Sequence, residues 1–127
     1  MSRATYLSWT DVVELNRFGR YVREAFDGDD FLGVFLVGSA LRHADYRDVD
    51  VRMIVTDEGF VERFGPQTRP RFENAKWNAH CIAWTHFGQS ITRLTIDFQI
   101  DPISYANDLY PMAEHRRHPI GDTRGPA

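Results

Sequence analysis

Three short strand-like runs lie between stretches of helical periodicity and limit the folds that this chain can adopt. They read FLGVFLV at 31–37, VDVRMIV at 49–55 and RLTIDFQI at 93–100. The first is apolar throughout, as in a strand covered on both faces, whereas the other two alternate apolar and polar residues. The order of runs and helical stretches predicts an α/β (α+β) fold, with a small mixed β-sheet flanked by helices.

Three helices are predicted from apolar residues that recur at helical spacing. Their expected starts are Thr10 as an N-cap, Asp57 as a second N-cap and Pro70 as a first helical residue. The third helix is the longest, with one apolar face through Phe72 and Ile82 and an adjoining face through Trp77 and Cys81. These side chains are expected to pack, with Cys81 buried and inert.

The length and composition of the chain indicate one soluble domain. Its 127 residues suit a single core, predicted over 1–127 with a loose tail from about residue 114. No apolar stretch approaches the roughly 20 residues of a membrane span, and the N-terminus lacks the apolar region of a signal peptide. The single cysteine, Cys81, fits a reducing compartment, so a cytoplasmic location is expected. The net charge of −3 gives no indication of a general affinity for nucleic acid.

Two aspartates, Asp48 and Asp50, stand at the start of the second strand. In an extended chain their side chains point to the same side, with backbones roughly 6.5–7 Å apart. Carboxylates this close repel unless a cation lies between them, and Mg²⁺ prefers such oxygen ligands. If the second and third strands are neighbours, Asp97 lies beside Asp50 and becomes a third ligand. That arrangement would serve a two-metal site for phosphoryl displacement.

The Gly38-Ser39 pair closes the first strand and opens a short helical turn over residues 40–44. Glycine lets the backbone approach a ligand closely, and Ser39 is expected to cap the turn. Free backbone N–H groups and the Ser39 hydroxyl would then form an anion site. A phosphate held there, within reach of metal at Asp48 and Asp50, is the layout that phosphoryl transfer requires.

With Gly38-Ser39, then Asp48-Val49-Asp50 and the later strand aspartate Asp97, the chain resembles the nucleotidyltransferase superfamily over residues 31–100. That superfamily has the DNA-polymerase-beta-like palm fold and includes aminoglycoside nucleotidyltransferases, CCA-adding enzymes and the small MNT-type proteins. The resemblance implies that Ser39 and its neighbouring amides bind nucleotide phosphates and that Asp48 and Asp50 hold Mg²⁺. It further implies that Asp97 completes the site and helps to activate an acceptor hydroxyl.

The resemblance implies transfer of a nucleoside monophosphate from an NTP, with ATP the first choice, to an acceptor hydroxyl with release of pyrophosphate. Arg42 and Arg52 are candidates for contact with the phosphates. A solvated surface arginine is the alternative for both, and an internal ion pair is a third alternative for Arg52. The chain departs from the family pattern at His43, where many members have glycine, and at Arg47, where serine is frequent. Because there is no room for a C-terminal helical domain, the acceptor (small molecule, RNA or protein) stays open.

Several alternatives remain open at the level of sequence. Asp48 and Asp50 would also suit a polar turn that enters a strand, and Asp97 an outward position on an edge strand. The second functional hypothesis is a non-catalytic module of the same fold, an antitoxin-like or regulatory partner of another protein, with homo-oligomerisation also open. A metal-dependent nuclease is disfavoured because its pattern needs a lysine beside the strand acids, and the only lysine is Lys76. A metal pair at His115 and His118, three residues apart, is disfavoured because two histidines at this spacing do not make a metal site by themselves.

Overall fold

A computed structural model describes residues 6–121 of the chain, apart from the side chains of residues 111–113. Among the described residues, none of the helices has the length and hydropathy of a membrane span. The elements are α1 (Trp9–Ala25), β1 (Phe31–Val37), β2 (Val49–Val55), α2 (Asp57–Phe64), α3 (Ala75–Thr92), β3 (Ile96–Pro102) and α4 (Ile103–Leu109), with 3₁₀ turns at Gly38–Leu41, Arg71–Glu73 and Pro111–Arg116. The predicted fold class is confirmed.

The sheet has three strands in the order β1-β2-β3, with β2 in the centre. Strand β1 is antiparallel to β2, and β2 is parallel to β3, so the sheet is mixed as predicted. The register pairs Asp50 of β2 with Val37 at the end of β1 and with Asp97 near the start of β3. One end of the sheet therefore carries the Gly38-Ser39 corner and the strand aspartates together.

The two faces of β2 differ as its alternating sequence predicts. One face is fully buried in the main core, which also includes Leu15 and Phe18 of α1. Its residues are Val49, Val51, Met53 and Val55. The opposite face carries Asp50 and Arg52, and further along the strand Ile54 packs with Phe35 and with Ala106 of α4. The polar end of this second face is where the candidate site lies.

The outer edge of β3 is covered by side chains of α3, which removes the hazard of an unpaired strand edge. Each of three polar side chains of the helix bonds to the backbone of the strand. They are Trp77, whose indole N–H donates to the Ile100 carbonyl at 2.8 Å, Thr85, whose hydroxyl accepts from the Phe98 N–H at 2.9 Å, and Gln89, whose amide donates to the Ile96 carbonyl at 3.0 Å. Trp77 and Cys81 are buried in the core, as expected for packing residues.

The C-terminal segment is ordered against β1, which corrects the expectation of a loose tail from about residue 114. The Leu36 N–H donates to the His118 carbonyl at 2.9 Å, and the Ile120 N–H donates to the Val34 carbonyl at 3.0 Å. Ile120 and His115 are both buried. Pairing with the free edge of β1 and burial of Ile120 provide the physical reason. Residues 122–127 lie outside the described part of the chain.

The helices begin at other residues than the sequence analysis expected. Their N-caps are Ser8, Thr56 and Asn74, each of which accepts a hydrogen bond from a backbone N–H three residues on. The long helix α3 also turns a different face inward, since Phe72, which precedes it, and Ile82 are 64% and 50% exposed. Its buried face is the adjoining one, through Trp77 and Cys81.

Candidate metal centre

Three aspartates converge at the polar end of the sheet. Asp48, Asp50 and Asp97 each offer a carboxylate oxygen, and these oxygens all lie within 4.8 Å of one another. Asp50 and Asp97 are brought together by the parallel pairing of β2 with β3, and Asp48 directly precedes β2. The structure thus places Asp97 beside Asp50, as the sequence predicts for neighbouring strands. What the three residues bind is not shown by their positions and stays a prediction.

The backbone corner at Gly38 lies directly against the Asp50 carboxylate. Gly38 has a φ of +81°, and a Cβ built on it would lie 2.2 Å from Oδ2 of Asp50. Glycine is required here for two reasons: only a residue without a Cβ adopts this conformation readily, and only such a residue leaves room for the carboxylate. The sequence predicted that the backbone at Gly38 approaches a ligand closely. In the structure, this backbone approaches the carboxylate of Asp50.

Ser39 does not cap the turn that follows β1, which corrects that expectation. The 3₁₀ turn Gly38–Leu41 has Val37 at its N-cap position and no capping hydrogen bond from a side chain. Ser39 instead lies inside the turn, where its carbonyl accepts hydrogen bonds from the N–H groups of Arg42 at 2.9 Å and His43 at 2.8 Å. The Ser39 hydroxyl therefore does not serve as a structural cap.

The electrostatics of Asp50 indicate a need for positive charge. Burial raises the pKa of the Asp50 carboxyl above its ordinary value. Repulsion from the carboxylates of Asp97 and Asp48 raises this pKa further. The Arg52 guanidinium and a hydrogen bond from the Ser39 backbone lower the pKa without reversing the net direction. A divalent cation among the three carboxylates would relieve this repulsion, and their hard oxygen ligands suit Mg²⁺.

Arg52 lies inside the site, with its side chain only 9% exposed. Its Nη2 atom lies 3.7 Å from Oδ2 of Asp97 and 3.9 Å from Oδ1 of Asp50. Of the alternatives that the sequence left open, the structure shows the internal ion pair. A contact between Arg52 and a nucleotide phosphate would require these interactions to break.

Arg42, the other candidate for phosphate contact, forms an ion pair with Glu114 in the C-terminal 3₁₀ turn. The Arg42 side chain is half exposed, and it lies just after the Gly38-Ser39 corner in sequence. Glu114 was not singled out from the sequence, and no local pattern marks it. A phosphate would compete with Glu114 for the Arg42 guanidinium.

Asp101 is a buried charged residue that the sequence analysis missed. Its Oδ1 accepts a hydrogen bond from Nη2 of Arg71 at 2.9 Å, and burial raises the pKa of its carboxyl. Among the described residues, Oδ2 of Asp101 and Nδ1 of His115 have no hydrogen-bond partner. The signal was present in the strand pattern, because residues 97, 99 and 101 share one face once β3 is extended to Pro102.

The two histidines near the C-terminus have separate structural roles. Nε2 of His115 lies 3.0 Å from the side-chain oxygen of Asn107, and burial lowers the pKa of this histidine. His118 contributes its backbone carbonyl to the edge of β1.

Burial raises the pKa of Cys81 to about 12, so this residue stays a thiol at neutral pH, in agreement with the expectation that it is inert.

A cavity of about 210 Å³ adjoins the triad on the side of Asp97. Besides Asp97 it is lined by residues of α3 and β3, among them Thr85, His86 and Gln99. The Asp97 side chain is 42% exposed, twice the 21% of Asp50. Asp97 is therefore the strand aspartate that a second molecule reaches more readily.

Comparison of the chain with protein-family models, with curated proteins and with solved structures finds no match in any of the three. No relative therefore identifies the chain as a nucleotidyltransferase or supplies a ligand for its aspartates.

Proposed function

We propose that this chain is a Mg²⁺-dependent nucleotidyltransferase. It would transfer a nucleoside monophosphate from an NTP, ATP in the first instance, to an acceptor hydroxyl and release pyrophosphate. The observation that carries the proposal is the convergence of Asp48, Asp50 and Asp97 within 4.8 Å, directly against the Gly38-Ser39 corner. A cytoplasmic setting fits the reaction, because NTPs are abundant there and the lone cysteine stays reduced.

Asp48 and Asp50 are the residues that would hold Mg²⁺, with Asp97 as the third ligand. The donor set fits this ion, since it consists of carboxylate oxygens alone. Burial, and after it the repulsion from Asp97 and Asp48, raises the pKa of Asp50, which a cation would offset. When bound, Mg²⁺ would supply positive charge that neutralises phosphoryl oxygens during the transfer.

Asp97 has a second role in the proposal, which is to accept the proton of the acceptor hydroxyl. It is more exposed than Asp50 and lines the cavity of about 210 Å³ that would admit the acceptor. A carboxylate within hydrogen-bond reach of the hydroxyl raises its nucleophilicity as the proton leaves. The modest size of this cavity favours an acceptor that presents a small or narrow group.

The Gly38-Ser39 corner would bind the phosphates of the NTP. The Ser39 hydroxyl makes no capping bond in its own turn and is proposed as a donor to a phosphate oxygen. Arg42 would join the phosphates by leaving Glu114, whereas Arg52 stays in its internal ion pairs. Of the four residues predicted to bind phosphate, we therefore keep Gly38, Ser39 and Arg42 and omit Arg52.

One observation favours the alternative, a non-catalytic module of the same fold that binds another protein. A groove of about 530 Å³ runs between α1 and α3 and is lined by Tyr21, Trp84 and Phe87. Apolar grooves of this kind are frequent sites of association with a partner or with a second copy of the chain. None of the three aspartates lines this groove, so binding of a protein here would use a different surface from the proposed catalysis.

Labelling with an α-³²P NTP separates the enzyme from the module. With Mg²⁺ and a cell extract, the wild-type chain is expected to label an acceptor, and Asp97→Ala is expected to abolish the labelling. Asp29→Ala is the matched control, because it removes an exposed aspartate from the turn before β1 and should leave the labelling unchanged. A wild-type chain that labels nothing but copurifies with a stable protein partner would favour the module instead.

A further inference from the structure

Arg52 occupies a fixed position between two of the three carboxylates. It lies two residues after Asp50 on the same face of β2, and its neighbour on β3 is Gln99, two residues after Asp97. This register places its guanidinium beside both aspartates, with Nη2 at 3.9 Å from Asp50 and 3.7 Å from Asp97. These distances are those of ion pairs and exceed ordinary hydrogen-bond lengths, so both carboxylates keep oxygens for another ligand.

The guanidinium is held from its remaining sides. Nε donates to the Tyr110 hydroxyl at 3.1 Å, and Nη1 donates to the backbone carbonyls of Asp97 at 2.7 Å and Val51 at 3.0 Å. With these donors engaged and the side chain 9% exposed, Arg52 does not swing into solvent as a surface arginine does. Its positive charge is a permanent part of the triad.

The charges of the site then balance in a specific way. Three carboxylates and the Arg52 guanidinium leave two uncompensated negative charges. Asp101 also lies near Arg52, with its Oδ2 at 4.0 Å from Nε, but its Oδ1 is paired with Arg71 at 2.9 Å. Counting Asp101 together with Arg71 therefore leaves the same two uncompensated negative charges. One divalent cation neutralises what remains, and a second would need further negative charge, such as that of a triphosphate.

We infer that Arg52 is a positioning residue that serves as a built-in counter-cation for Asp50 and Asp97, and that the nucleotide-free site therefore takes up one divalent cation. The metal part of this inference rests on the proposed function. The counter-cation part rests on the distances and burial of Arg52 alone.

Arg52→Gln removes the charge and tests the inference through the response to Mg²⁺. Without metal, the unshielded repulsion between Asp50 and Asp97 lowers the melting temperature. With MgCl₂ the repulsion is relieved, so the Mg²⁺-dependent rise in melting temperature is larger than in wild type. The affinity for Mg²⁺ rises on the order of tenfold, the factor that one unit charge gives for a divalent ion a few ångströms away at the dielectric constant of water. A purely structural role would lower the melting temperature equally with and without Mg²⁺.

The experiment compares four proteins in EDTA and in MgCl₂, by thermal unfolding and by calorimetric titration with MgCl₂ alone. Wild type is expected to bind one ion per chain, and Arg52→Lys, which keeps the charge, is expected to respond to Mg²⁺ as wild type does. Arg52→Gln/Asp97→Asn removes the counter-cation together with one of the repelling charges, and is expected to recover stability in EDTA relative to Arg52→Gln. Two ions per wild-type chain, or an equal Mg²⁺ response in Arg52→Gln and wild type, would overturn the inference.

Failure of the inference and failure of the proposed function give different results. If wild type takes up no Mg²⁺, the proposed metal site is refuted, and the recovery of the double variant in EDTA still decides the role of Arg52. If Arg52→Gln does not fold alone, the comparison of Arg52→Lys with the double variant carries the test. In that case, a double variant that also fails to fold, while Arg52→Lys folds, would contradict the counter-cation role.

Discussion

Substitution of Gly38 by alanine is expected to disrupt both stability and metal binding, because the new Cβ has no room. It would lie 2.2 Å from Oδ2, 3.0 Å from Cγ and 3.2 Å from Cβ of Asp50. To restore an ordinary contact of 3.4 Å or more, the carboxylate oxygen has to move by over 1 Å, the difference between 3.4 Å and 2.2 Å. That movement takes Asp50 out of its place beside Asp48 and Asp97.

The magnitude has two parts. A non-glycine residue at a φ of +81° costs about 1–2 kcal/mol of conformational strain. Displacing the Asp50 side chain adds about 1–2 kcal/mol, through a strained rotamer and the loss of its hydrogen bond from the Ser39 backbone. Gly38→Ala is therefore expected to lower the free energy of unfolding by about 2–4 kcal/mol.

Gly65 provides a control for backbone strain within the same chain, with a ψ of −175° that is also unfavourable for a residue with a Cβ. Its φ of +84° is close to that of Gly38, and no atom lies within 4 Å of the position of its Cβ. Gly65→Ala therefore carries conformational strain without the clash. Denaturant unfolding of both variants compares strain alone with strain plus clash. Gly38→Ala in an Asp50→Ala background isolates the part due to Asp50, because the clashing side chain is then absent and most of the excess loss should disappear. Equal losses for Gly38→Ala and Gly65→Ala, with wild-type Mg²⁺ affinity in the former, would refute the role of this corner.

Other groups give further predictions. The pKa of Asp50 is raised in the folded state, so its ionisation at neutral pH costs stability. Asp50→Asn should therefore raise the metal-free melting temperature at pH 7. This gain should disappear as the pH falls below about 3.8, the ordinary pKa of the carboxyl. The same variant should lose Mg²⁺-dependent ATP binding in calorimetry, and wild-type affinity would count against the metal assignment. A hydrogen-bonded ion pair with Arg63 lowers the pKa of Asp30. Asp30→Asn should therefore lower the free energy of unfolding by about 0.5–1 kcal/mol at pH 7, and should have no effect once the pH is below the lowered pKa. Urea unfolding at each pH would show this. Cys81, with its pKa raised to about 12, should react with a thiol reagent only on unfolding, and rapid labelling of the native chain would contradict its burial. Ser39→Ala should weaken triphosphate binding about tenfold or more without lowering the melting temperature, because this hydroxyl is no cap, and the reverse result would remove its phosphate role.

The parts of the fold that follow from local alternation could be predicted from the sequence. In β2 the alternation separates the core residues from Asp50 and Arg52, and this separation is observed. The position of Asp97 beside Asp50 followed from one further condition, that β2 and β3 are neighbours. Both results depend on the two-residue period of a strand, which is a local property.

The parts that depend on distant partners could not be predicted. Helix α3 has apolar residues around most of its surface, so its own sequence does not determine which face is buried. Packing against β3 and α1 determines it, and Ile82 remains exposed. The order of residues 114–121 arises from the free edge of β1, which no local pattern in the C-terminal segment reveals. Glu114 likewise meets Arg42 only because that segment folds back.

A crystal structure of the chain with Mn²⁺ and a non-hydrolysable ATP analogue would show whether the three aspartates bind metal beside a nucleotide. Mn²⁺ takes the place of Mg²⁺ at oxygen ligands and is located by its anomalous signal. We expect an anomalous peak within bonding distance of carboxylate oxygens of Asp48 and Asp50, with the triphosphate against the Gly38-Ser39 corner. A triad without an anomalous peak at saturating Mn²⁺ and nucleotide, or a nucleotide bound at another surface, would contradict this expectation.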